Sequence, residues 1–266
     1  MGQQIAPLLT SLPLHLWVYT NYDCNLSCSY CVVRSSPTAE RRSIDMPVFK
    51  RLIDEGAEVG ASHVFLTGGE PFLLPDIFDR VAYCCERLSV TVLTNGMRLG
   101  RREIAALGRL GPHPLTLQVS LDGHRPDLHD AYRGTGSWAK TVTAIRRLVE
   151  LGLRVTIGAT ETPVNAPCIA ELVAFAGSLG ISPSDVFVRP LTRRGFSEEG
   201  VELAATDLVP ELTVTVDGVY WHPQTAGAAM LLSRSISPLG ESLDLLDMTY
   251  RAMHADGALP VRYRCA

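Results

Sequence analysis

Short runs of β-branched and other apolar residues alternate with amphipathic segments between about residue 14 and residue 191. The runs have the length of buried strands, whereas the segments between them repeat apolar residues every three to four positions, as helices do. Strands are therefore predicted at residues 14–20, 63–67, 90–94, 115–121, 155–159 and 186–191. Helices are predicted at residues 47–59, 76–88, 101–110, 137–151 and 168–179.

The alternation amounts to six βα repeats with short loops. Repeats of this kind imply parallel strands that are joined by right-handed crossovers. They predict an α/β core, and both an open doubly wound sheet and a barrel fit them. In both architectures, ligands bind at the carboxyl ends of the strands.

The pattern changes after residue 191. A polar, glycine-bearing connector covers residues 193–202, and two short strands at 212–216 and 219–222 flank a pair typical of a hairpin turn, Asp217-Gly218. A further helix is predicted near residues 243–255. We expect a core domain at residues 1–191 and a small C-terminal α+β appendage at residues 192–266.

The bulk composition narrows the class of protein. Of the 266 residues, 46% are hydrophobic and 20% are charged, and the net charge of −4 lacks the basic surplus of nucleic-acid-binding proteins. No run approaches the roughly 18 apolar residues of a membrane span, so no membrane partner is expected. The first 13 residues lack the basic start of a secretory signal. Seven cysteines, an odd number with three in one loop, favour a reducing compartment, and we expect the cytoplasm.

Three of the cysteines, Cys24, Cys28 and Cys31, lie with the spacing C-x3-C-x2-C after the first predicted strand. Three thiolates without a fourth suit a [4Fe–4S] cluster that leaves one iron open to another ligand. With this cysteine content, chance would produce the spacing with a probability of about 0.005. A zinc knuckle is the alternative, but zinc loops usually pair C-x2-C with a second ligand pair. No such pair of Cys or His follows at suitable spacing.

Polar and glycine residues follow two further strands. Gly68, Gly69 and Glu70 follow the second strand, where glycines allow a close approach of a ligand and a glutamate could bind an ammonium group. The alternative there is a plain turn before proline. Ser120 and Asp122, at the end of the fourth strand, share one of its faces and need partners, which a ligand with hydroxyls or charges would supply. The alternative is that Asp122 makes a turn and Ser120 bonds to the backbone.

Together these motifs resemble the radical S-adenosylmethionine (SAM) superfamily. Its hallmarks are the C-x3-C-x2-C loop after the first strand and a Gly-Gly-Glu segment after the second. The stretches at residues 120–123, 129–133 and 136–138 are similar to the branch of anaerobic sulfatase maturases and SPASM-type peptide-modifying enzymes. The molybdenum-cofactor cyclase is a related branch. The resemblance covers roughly residues 14–191.

The resemblance implies a (β/α)6 partial, open barrel and one [4Fe–4S] cluster held by Cys24, Cys28 and Cys31. The amino and carboxylate groups of SAM would chelate the open iron. An electron, delivered by a donor such as flavodoxin or ferredoxin, would cleave SAM to methionine and a 5′-deoxyadenosyl radical that takes hydrogen from the substrate. The cofactor carries this hard step, while the protein positions the reactive carbon and excludes water.

The resemblance also implies which residues contact the SAM amino group and adenine. Tyr30, beside the last cluster cysteine, would lie near the adenine. Gly68, Gly69 and Glu70 would receive the amino group through backbone carbonyls, with the Glu70 carboxylate as a further candidate.

The resemblance also implies roles for four further residues near SAM. Ser120 and Asp122 would contact the carboxylate or the ribose of SAM, and the backbone of Leu191 would meet the adenine edge. Two roles are open for Arg133. It would either pair bidentately with the SAM carboxylate, or cap a helix and pair with Asp130.

The chain departs from the branch after residue 191. Many relatives carry cysteines there for auxiliary clusters, but only Cys265 follows residue 191 in this sequence, so a single cluster is expected. His222 precedes proline where relatives often have cysteine. We expect the appendage to act as a lid over the barrel mouth. Cys84 and Cys85 lie in a predicted helix, where buried, inert thiols are expected.

We therefore expect a radical SAM enzyme, an oxidoreductase or maturase, that abstracts hydrogen from a peptide or a small-molecule natural-product precursor. A non-catalytic iron–sulfur electron carrier or sensor is the alternative, although it needs no SAM pocket, and a zinc-binding interaction module is the third possibility. His124 or His129 could transfer a proton, and Trp221 or His222 could reach a substrate, but no catalytic acid or base is assigned.

Overall fold

The computed structural model describes residues 14–110, 114–224 and 228–253. The strands are β1 (His15–Asn21), β2 (His63–Gly68), β3 (Ser89–Thr94), β4 (Leu115–Ser120), β5 (Arg154–Glu161), β6 (Val186–Pro190), β7 (Leu212–Thr215), β8 (Gly218–Tyr220) and β9 (Leu231–Ser233). The helices are α1 (Met46–Glu58), α2 (Ile77–Cys85), α3 (Arg101–Gly108), α4 (Pro126–Arg133), α5 (Ser137–Glu150), α6 (Ile169–Ser178) and α7 (Leu239–Met253). Every element predicted between residues 14 and 191 is present, with its ends displaced by at most three residues.

The strands of the described residues form one sheet in the order β6-β5-β4-β3-β2-β1-β7-β8-β9. Strands β1 to β6 run parallel, as βα repeats require. The outer strands β6 and β9 are not hydrogen-bonded to each other, so the sheet is open. The predicted α/β class with an open, parallel core is confirmed. None of the described helices combines the length and the apolar composition needed to cross a membrane.

The main core lies between the sheet and the helices. Leu16 and Val18 of β1 are fully buried and belong to the same apolar cluster as Phe49 and Ile53 of α1. Burying a side chain of this size stabilises the fold by about 1.5–3 kcal/mol. Asp45 is the N-cap of helix α1. Its side chain accepts a hydrogen bond from Val48 N at 2.8 Å, which satisfies one of the free N–H groups of the first turn.

The opposite face of the sheet carries little apolar packing. In the described residues it holds a small separate cluster, in which Trp17 stacks on Phe65 with ring centroids 4.2 Å apart and Leu93 packs beside them. The remaining inward positions are largely polar, and a cavity occupies the space above them. This contrast between the two faces determines where a ligand can bind.

Helix α4 is an element that the sequence pattern did not predict. It has eight residues, too few for a strong helical periodicity, and it begins at a proline in the first turn. Asp130 of this helix accepts hydrogen bonds from Gly136 N at 2.7 Å, Trp138 N at 2.8 Å and Ser137 Oγ at 2.9 Å. It thereby caps the start of α5 and fixes the loop after β4.

The strands after residue 191 continue the core sheet. Strand β7 pairs in parallel with β1, with Leu212 opposite Leu16 and Val214 opposite Val18, and β8 and β9 follow in antiparallel order. The predicted hairpin is thus present as β7 and β8, while the boundary predicted after residue 191 stays a prediction. Helix α7 begins at Leu239, four residues before its predicted start. Cys265 and the predicted end of that helix lie outside the described residues.

Candidate functional site

The three cysteines of the C-x3-C-x2-C motif line one cavity. It has a volume of about 270 Å³ and lies at the carboxyl ends of the parallel strands. Cys24, Cys28 and Cys31 are all partly exposed. Their loop is held on two sides, because Cys24 N donates to Ser36 O at 3.1 Å and Ser29 N donates to Tyr132 O at 3.2 Å. The loop therefore presents three thiols in a fixed frame.

The sulfur atoms receive hydrogen bonds from the protein. Leu26 N lies 3.4 Å from Cys24 Sγ, and Ser35 N lies 3.3 Å from Cys31 Sγ. Burial raises the pKa of the Cys24 thiol to about 12 and also raises the pKa of Cys28, which Arg133 partly offsets. A thiol with a raised pKa remains protonated until a metal or a cluster displaces the proton. Donors already aimed at the sulfurs are typical of sites that stabilise bound thiolates.

Gly68 and Gly69 pack directly against the cysteine loop. A Cβ at Gly68 would overlap the carbonyl oxygen of Asn21, and one at Gly69 would overlap the carbonyl oxygen of Asp23. Gly68 also has φ +119°, which favours glycine. Gly69 N donates to Asn21 O at 2.8 Å. The glycine pair is required for two loops to meet at the cavity, and both glycines line its wall.

Glu70 is buried, and its carboxylate is occupied by the protein. It accepts hydrogen bonds from Thr94 Oγ1 at 2.7 Å, Asn95 N at 2.8 Å and Phe72 N at 3.1 Å. Burial raises the pKa of Glu70, and these three bonds act against that shift. Because all three partners donate, the side chain serves as a carboxylate that ties the end of β2 to the end of β3. Its remaining contact to a ligand would come through the backbone.

Asp122 and Arg133 form a buried ion pair. Arg133 Nε lies 2.6 Å from Asp122 Oδ2, and Asp122 also accepts from Thr160 N at 2.9 Å and from the Tyr30 hydroxyl. Burial alone would raise the pKa of Asp122. The positive charge of Arg133 outweighs this effect and holds the pKa of Asp122 below its usual range. Burial raises the pKa of Tyr30 well above its usual range, so its hydroxyl donates. The predicted pairing of Arg133 with Asp130 is absent from this arrangement, since Asp130 caps α5.

Ser120 and Leu191 line the cavity as expected. The backbone of Leu191 is already engaged, because its N–H donates to Glu161 O at 2.9 Å and its carbonyl accepts from Val201 N at 2.8 Å. A ligand at Leu191 would either donate a second hydrogen bond to that carbonyl oxygen or pack against the Leu191 side chain. Tyr30 and Arg133 also line the cavity, whereas Asp122 stands behind them.

Two of the histidines considered from the sequence, His129 and His222, are buried. His129 is 1% exposed and accepts from Asp122 N at 3.1 Å, and burial lowers its pKa to about 4. Burial also lowers the pKa of His222 to about 3. Trp221 is buried beside His222, and Cys84 is buried in the core as expected.

Several contributors to the site were missed from the sequence, among them Asn95, Pro223 and Gln224. Asn95, at the end of β3, directs its Nδ2 toward Cys24 Sγ at 3.7 Å and Asn25 Oδ1 at 3.0 Å. Pro223 and Gln224, after β8, form part of the cavity wall, and the Tyr19 hydroxyl donates to Pro223 O. The position of Asn95 at a strand's carboxyl end was an available signal. The contribution of Pro223 and Gln224 depends on tertiary packing alone.

The described side chains do not converge on a single metal position. Within residues 14–110, 114–224 and 228–253, no group of three or more His, Cys, Asp or Glu side chains is placed to hold one metal ion. A four-iron cluster binds each cysteine at a different iron, so three thiols around a cavity are compatible with such a cluster.

Comparisons with known proteins agree with this geometry. Residues 18–176 match the model of the Radical SAM superfamily. The antilisterial bacteriocin subtilosin biosynthesis protein AlbA of Bacillus subtilis (strain 168) is 33% identical over 171 residues, which cover 64% of this chain and 38% of AlbA. The AdoMet-dependent heme synthase of Methanosarcina barkeri (strain Fusaro / DSM 804) is 31% identical over 186 residues, which cover 69% of this chain and 52% of that protein. The chain thus spans about four to five tenths of the length of these relatives.

Among solved structures, Streptococcus suis SuiB bound to S-adenosylmethionine superposes with a TM-score of 0.62 at 21% identity, covering 73% of this chain and 44% of SuiB. This likeness supports the fold, a partial barrel of parallel strands. Because the family match covers more than half of the sequence and includes the cysteine loop and strands β2 to β5, the chain belongs to the radical SAM superfamily.

Proposed function

We propose that this enzyme uses one [4Fe–4S] cluster, held by Cys24, Cys28 and Cys31, to cleave SAM reductively and abstract hydrogen from a peptide or a small-molecule natural-product precursor. The observation that supports it most is the convergence of the three thiols with Gly68, Ser120 and the other strand ends on one cavity. A non-catalytic electron carrier has no need for such a cavity beside its cysteines.

The donor set fits the cluster. Thiolates are the usual ligands of iron–sulfur clusters, and N–H groups near the sulfurs, here from Leu26 and Ser35, tune their reduction potential. When bound, the cluster supplies the electron that converts SAM to methionine and a 5′-deoxyadenosyl radical, which takes hydrogen from the substrate.

The residues around the cavity have separate tasks in this proposal. Gly68 and Gly69 let the backbone approach the SAM amino group, and Ser120 donates to its carboxylate or ribose. Tyr30 and Leu191 border the adenine. Asp122, Arg133 and the Glu70 carboxylate act one step away, because their hydrogen bonds within the protein hold the loops that carry the other residues.

The C-terminal segment closes one side of the cavity. Pro223 and Gln224 belong to its wall, and the bond from Tyr19 to Pro223 O joins that wall to β1. Such a wall protects a radical from solvent and reductant. We infer a single cluster per chain and a lid role for this segment. We also infer that the electron donor is a flavodoxin or a ferredoxin and that the enzyme acts in the cytoplasm.

Relatives leave both substrate classes open. AlbA takes part in the biosynthesis of a bacteriocin, the Methanosarcina relative is named a heme synthase, and SuiB has been solved with its precursor peptide SuiA. The partly apolar cavity is compatible with either class.

Anaerobic reconstitution tests the proposal. The loaded chain should contain about four irons and four sulfides, and with dithionite and SAM it should form 5′-deoxyadenosine, measured by liquid chromatography. Cys168→Ala is the matched control, because Cys168 is a partly exposed thiol that does not line the cavity. Iron loading without any 5′-deoxyadenosine would contradict the enzyme proposal, and eight irons per chain would contradict the single cluster.

A further inference from the structure

Ser35 belongs to the wall of the cavity that the three motif cysteines line. The residue is 3% exposed, and its Oγ is buried without a hydrogen-bond partner among the described residues. Leaving a buried hydroxyl without a partner carries an energetic cost, so such a group calls for an explanation. A group bound in the cavity beside Ser35 provides one.

The backbone of Ser35 holds its hydroxyl close to a cluster cysteine. Ser35 N donates to Cys31 Sγ at a distance of 3.3 Å. Standard bond lengths keep the N and Oγ atoms of one serine within about 4 Å of each other in every rotamer. The hydroxyl oxygen of Ser35 therefore lies within about 7 Å of Cys31 Sγ.

The turn that brings Ser35 to Cys31 has an unusual backbone conformation. Arg34 has φ +55°, and it is the only residue other than glycine with a positive φ in the described part of the chain. Its N–H donates to Cys31 O at 3.2 Å, and its Nε donates to Gly195 O at 3.0 Å. Backbone strain of this kind persists where surrounding contacts enforce it, and it is concentrated at functional sites. Here the strained turn directs Ser35 N toward a cluster ligand.

The next residue, Ser36, has its hydrogen bonds satisfied by the protein. Its hydroxyl bonds to Thr38 Oγ1 at 3.1 Å, and its carbonyl oxygen accepts from Cys24 N at 3.1 Å. Ser36 is not among the residues that line the cavity. Of two adjacent serines, the one at the cavity wall is thus the one whose hydroxyl is left for a bound group.

An iron–sulfur cluster is an acceptor that suits this hydroxyl. Hydrogen bonds to the sulfurs of a cluster are among the factors that set its reduction potential. Reduction adds one electron and therefore one negative charge to the cluster, and a hydrogen bond to a more negative acceptor is stronger. A hydroxyl that donates to the cluster consequently stabilises the reduced form more than the oxidised form.

We infer that the Ser35 hydroxyl donates a hydrogen bond to a sulfide of the cluster and thereby raises its reduction potential. The inference rests on the proposed function, because it requires a cluster held by Cys31. It adds a side-chain donor to the backbone N–H groups of Leu26 and Ser35 that already face the cysteine sulfurs. Ser35 then contributes to the electron transfer that precedes SAM cleavage.

A redox titration of the iron-loaded chain without SAM, followed by EPR of the reduced cluster, tests the inference. Ser35→Ala should lower the equilibrium constant for one-electron reduction about threefold to tenfold. At 59 mV for each factor of ten, the potential falls by about 28–59 mV. Ser35→Thr keeps a hydroxyl and should stay closer to the parent potential. Ser36→Ala is the matched control, because it removes the neighbouring hydroxyl that bonds to Thr38, and it should match the parent.

Pulsed ENDOR of the reduced cluster in D2O distinguishes a direct donor from a structural effect. The parent should show an exchangeable deuteron coupled to the cluster, and this coupling should be absent in Ser35→Ala and retained in Ser36→Ala. Ser35→Gly also removes the hydroxyl and replaces Ser35→Ala if that variant does not load iron. The Kd for SAM, measured with the oxidised cluster, should stay within about twofold of the parent value in every variant that loads iron.

Three results would overturn the inference. One is a parent cluster without any exchangeable deuteron coupling, which requires no variant. Another is an equal fall in potential in Ser35→Ala and Ser36→Ala. The third is an unchanged potential in Ser35→Ala, and a raised Kd for SAM in that variant would then assign the hydroxyl to SAM. All these readouts are taken from the loaded cluster and none depends on 5′-deoxyadenosine formation, so failure of the inference and failure of the proposed function are distinguishable.

Discussion

Replacing Asp122 by asparagine is expected to destabilise the chain strongly. Asp122 is 1% exposed and Arg133 8% exposed, and the carboxylate accepts from Arg133, Thr160 and Tyr30. Asp122→Asn removes the negative charge and turns an amide N–H toward a set of donors. It leaves the buried guanidinium unpaired, and breaking a buried pair in this way costs about 3–5 kcal/mol. Since domains are stable by only about 5–15 kcal/mol, the loss is a large fraction of the total.

A double-mutant cycle measures the interaction energy between Asp122 and Arg133 separately from the effect of each single substitution. Arg133→Met leaves the Asp122 carboxylate with hydrogen bonds but without a countercharge, so a loss of about 3–5 kcal/mol is expected again. The double variant contains no buried charge at this position. Its loss should be smaller than the summed single losses by about 2 kcal/mol or more.

Urea unfolding followed by far-UV circular dichroism measures these losses, on preparations with equal iron content. Arg125→Met is the matched control, because Arg125 lies on the same segment in an exposed pair with Asp127, with side chains 53% and 64% exposed. It should cost less than about 0.5 kcal/mol. A loss below about 1 kcal/mol for Asp122→Asn, or strictly additive single losses, would refute the structural role of the pair.

Three further predictions concern the cluster and pH. Cys24→Ala should remove iron and SAM cleavage together, whereas Cys84→Ala should keep about four irons. Asn95→Leu removes the donor that lies 3.7 Å from Cys24 Sγ. A hydrogen bond of about 0.5–1.5 kcal/mol corresponds to about 20–60 mV for the transfer of one electron. The reduction potential of the cluster, measured by a redox titration followed by EPR, should therefore fall by about 20–60 mV. His129 has a pKa of about 4 when folded against 6.5 for the free side chain, so its contribution to stability is complete above pH 6.5 and is lost as the pH falls toward 4. His129→Asn, which keeps an acceptor for Asp122 N, should therefore reduce the difference in unfolding free energy between pH 7 and pH 4 by up to about 3 kcal/mol.

Each of these predictions has a control and a contrary outcome. Full SAM cleavage by Cys24→Ala, or iron loss in Cys84→Ala, would mean that the ligands are misassigned. Ser36→Ala removes a hydroxyl that bonds to Thr38 on the cysteine loop, and its potential should match the parent; an equal shift in both variants would exclude a specific effect of Asn95. An unchanged pH dependence after His129→Asn would show that this histidine does not govern acid stability.

The order of the core elements was predictable because strand and helix periodicities are local properties of the sequence. Helix α4 was not, since eight residues give little periodicity and its stability comes from packing and from the ion pair at its end. The parallel pairing of β7 with β1 was also beyond a sequence pattern. It joins Leu16 to Leu212 across about three quarters of the chain, and nothing local to either strand specifies that contact.

The candidate site also combines features that the sequence predicted with features that it did not. The spacing of Cys24, Cys28 and Cys31 indicated one ligand group, and all three line one cavity. The roles of Glu70 and Asp122 were harder to foresee, because a sequence shows that a polar residue ends a strand but not whether a ligand or the protein completes its hydrogen bonds. In both cases the described donors come from the protein.

Polar groups around this cavity thus fall into two physical classes. Glu70 and Asp122 have full sets of donors, so a ligand that replaced one of those donors would gain a contact and leave another group unsatisfied. Trp17 Nε1 and Ser35 Oγ are buried without partners in the described residues, so a ligand that bonds to them removes an existing cost. Binding energy is therefore more readily gained at the second class, while the first class keeps the loops in place.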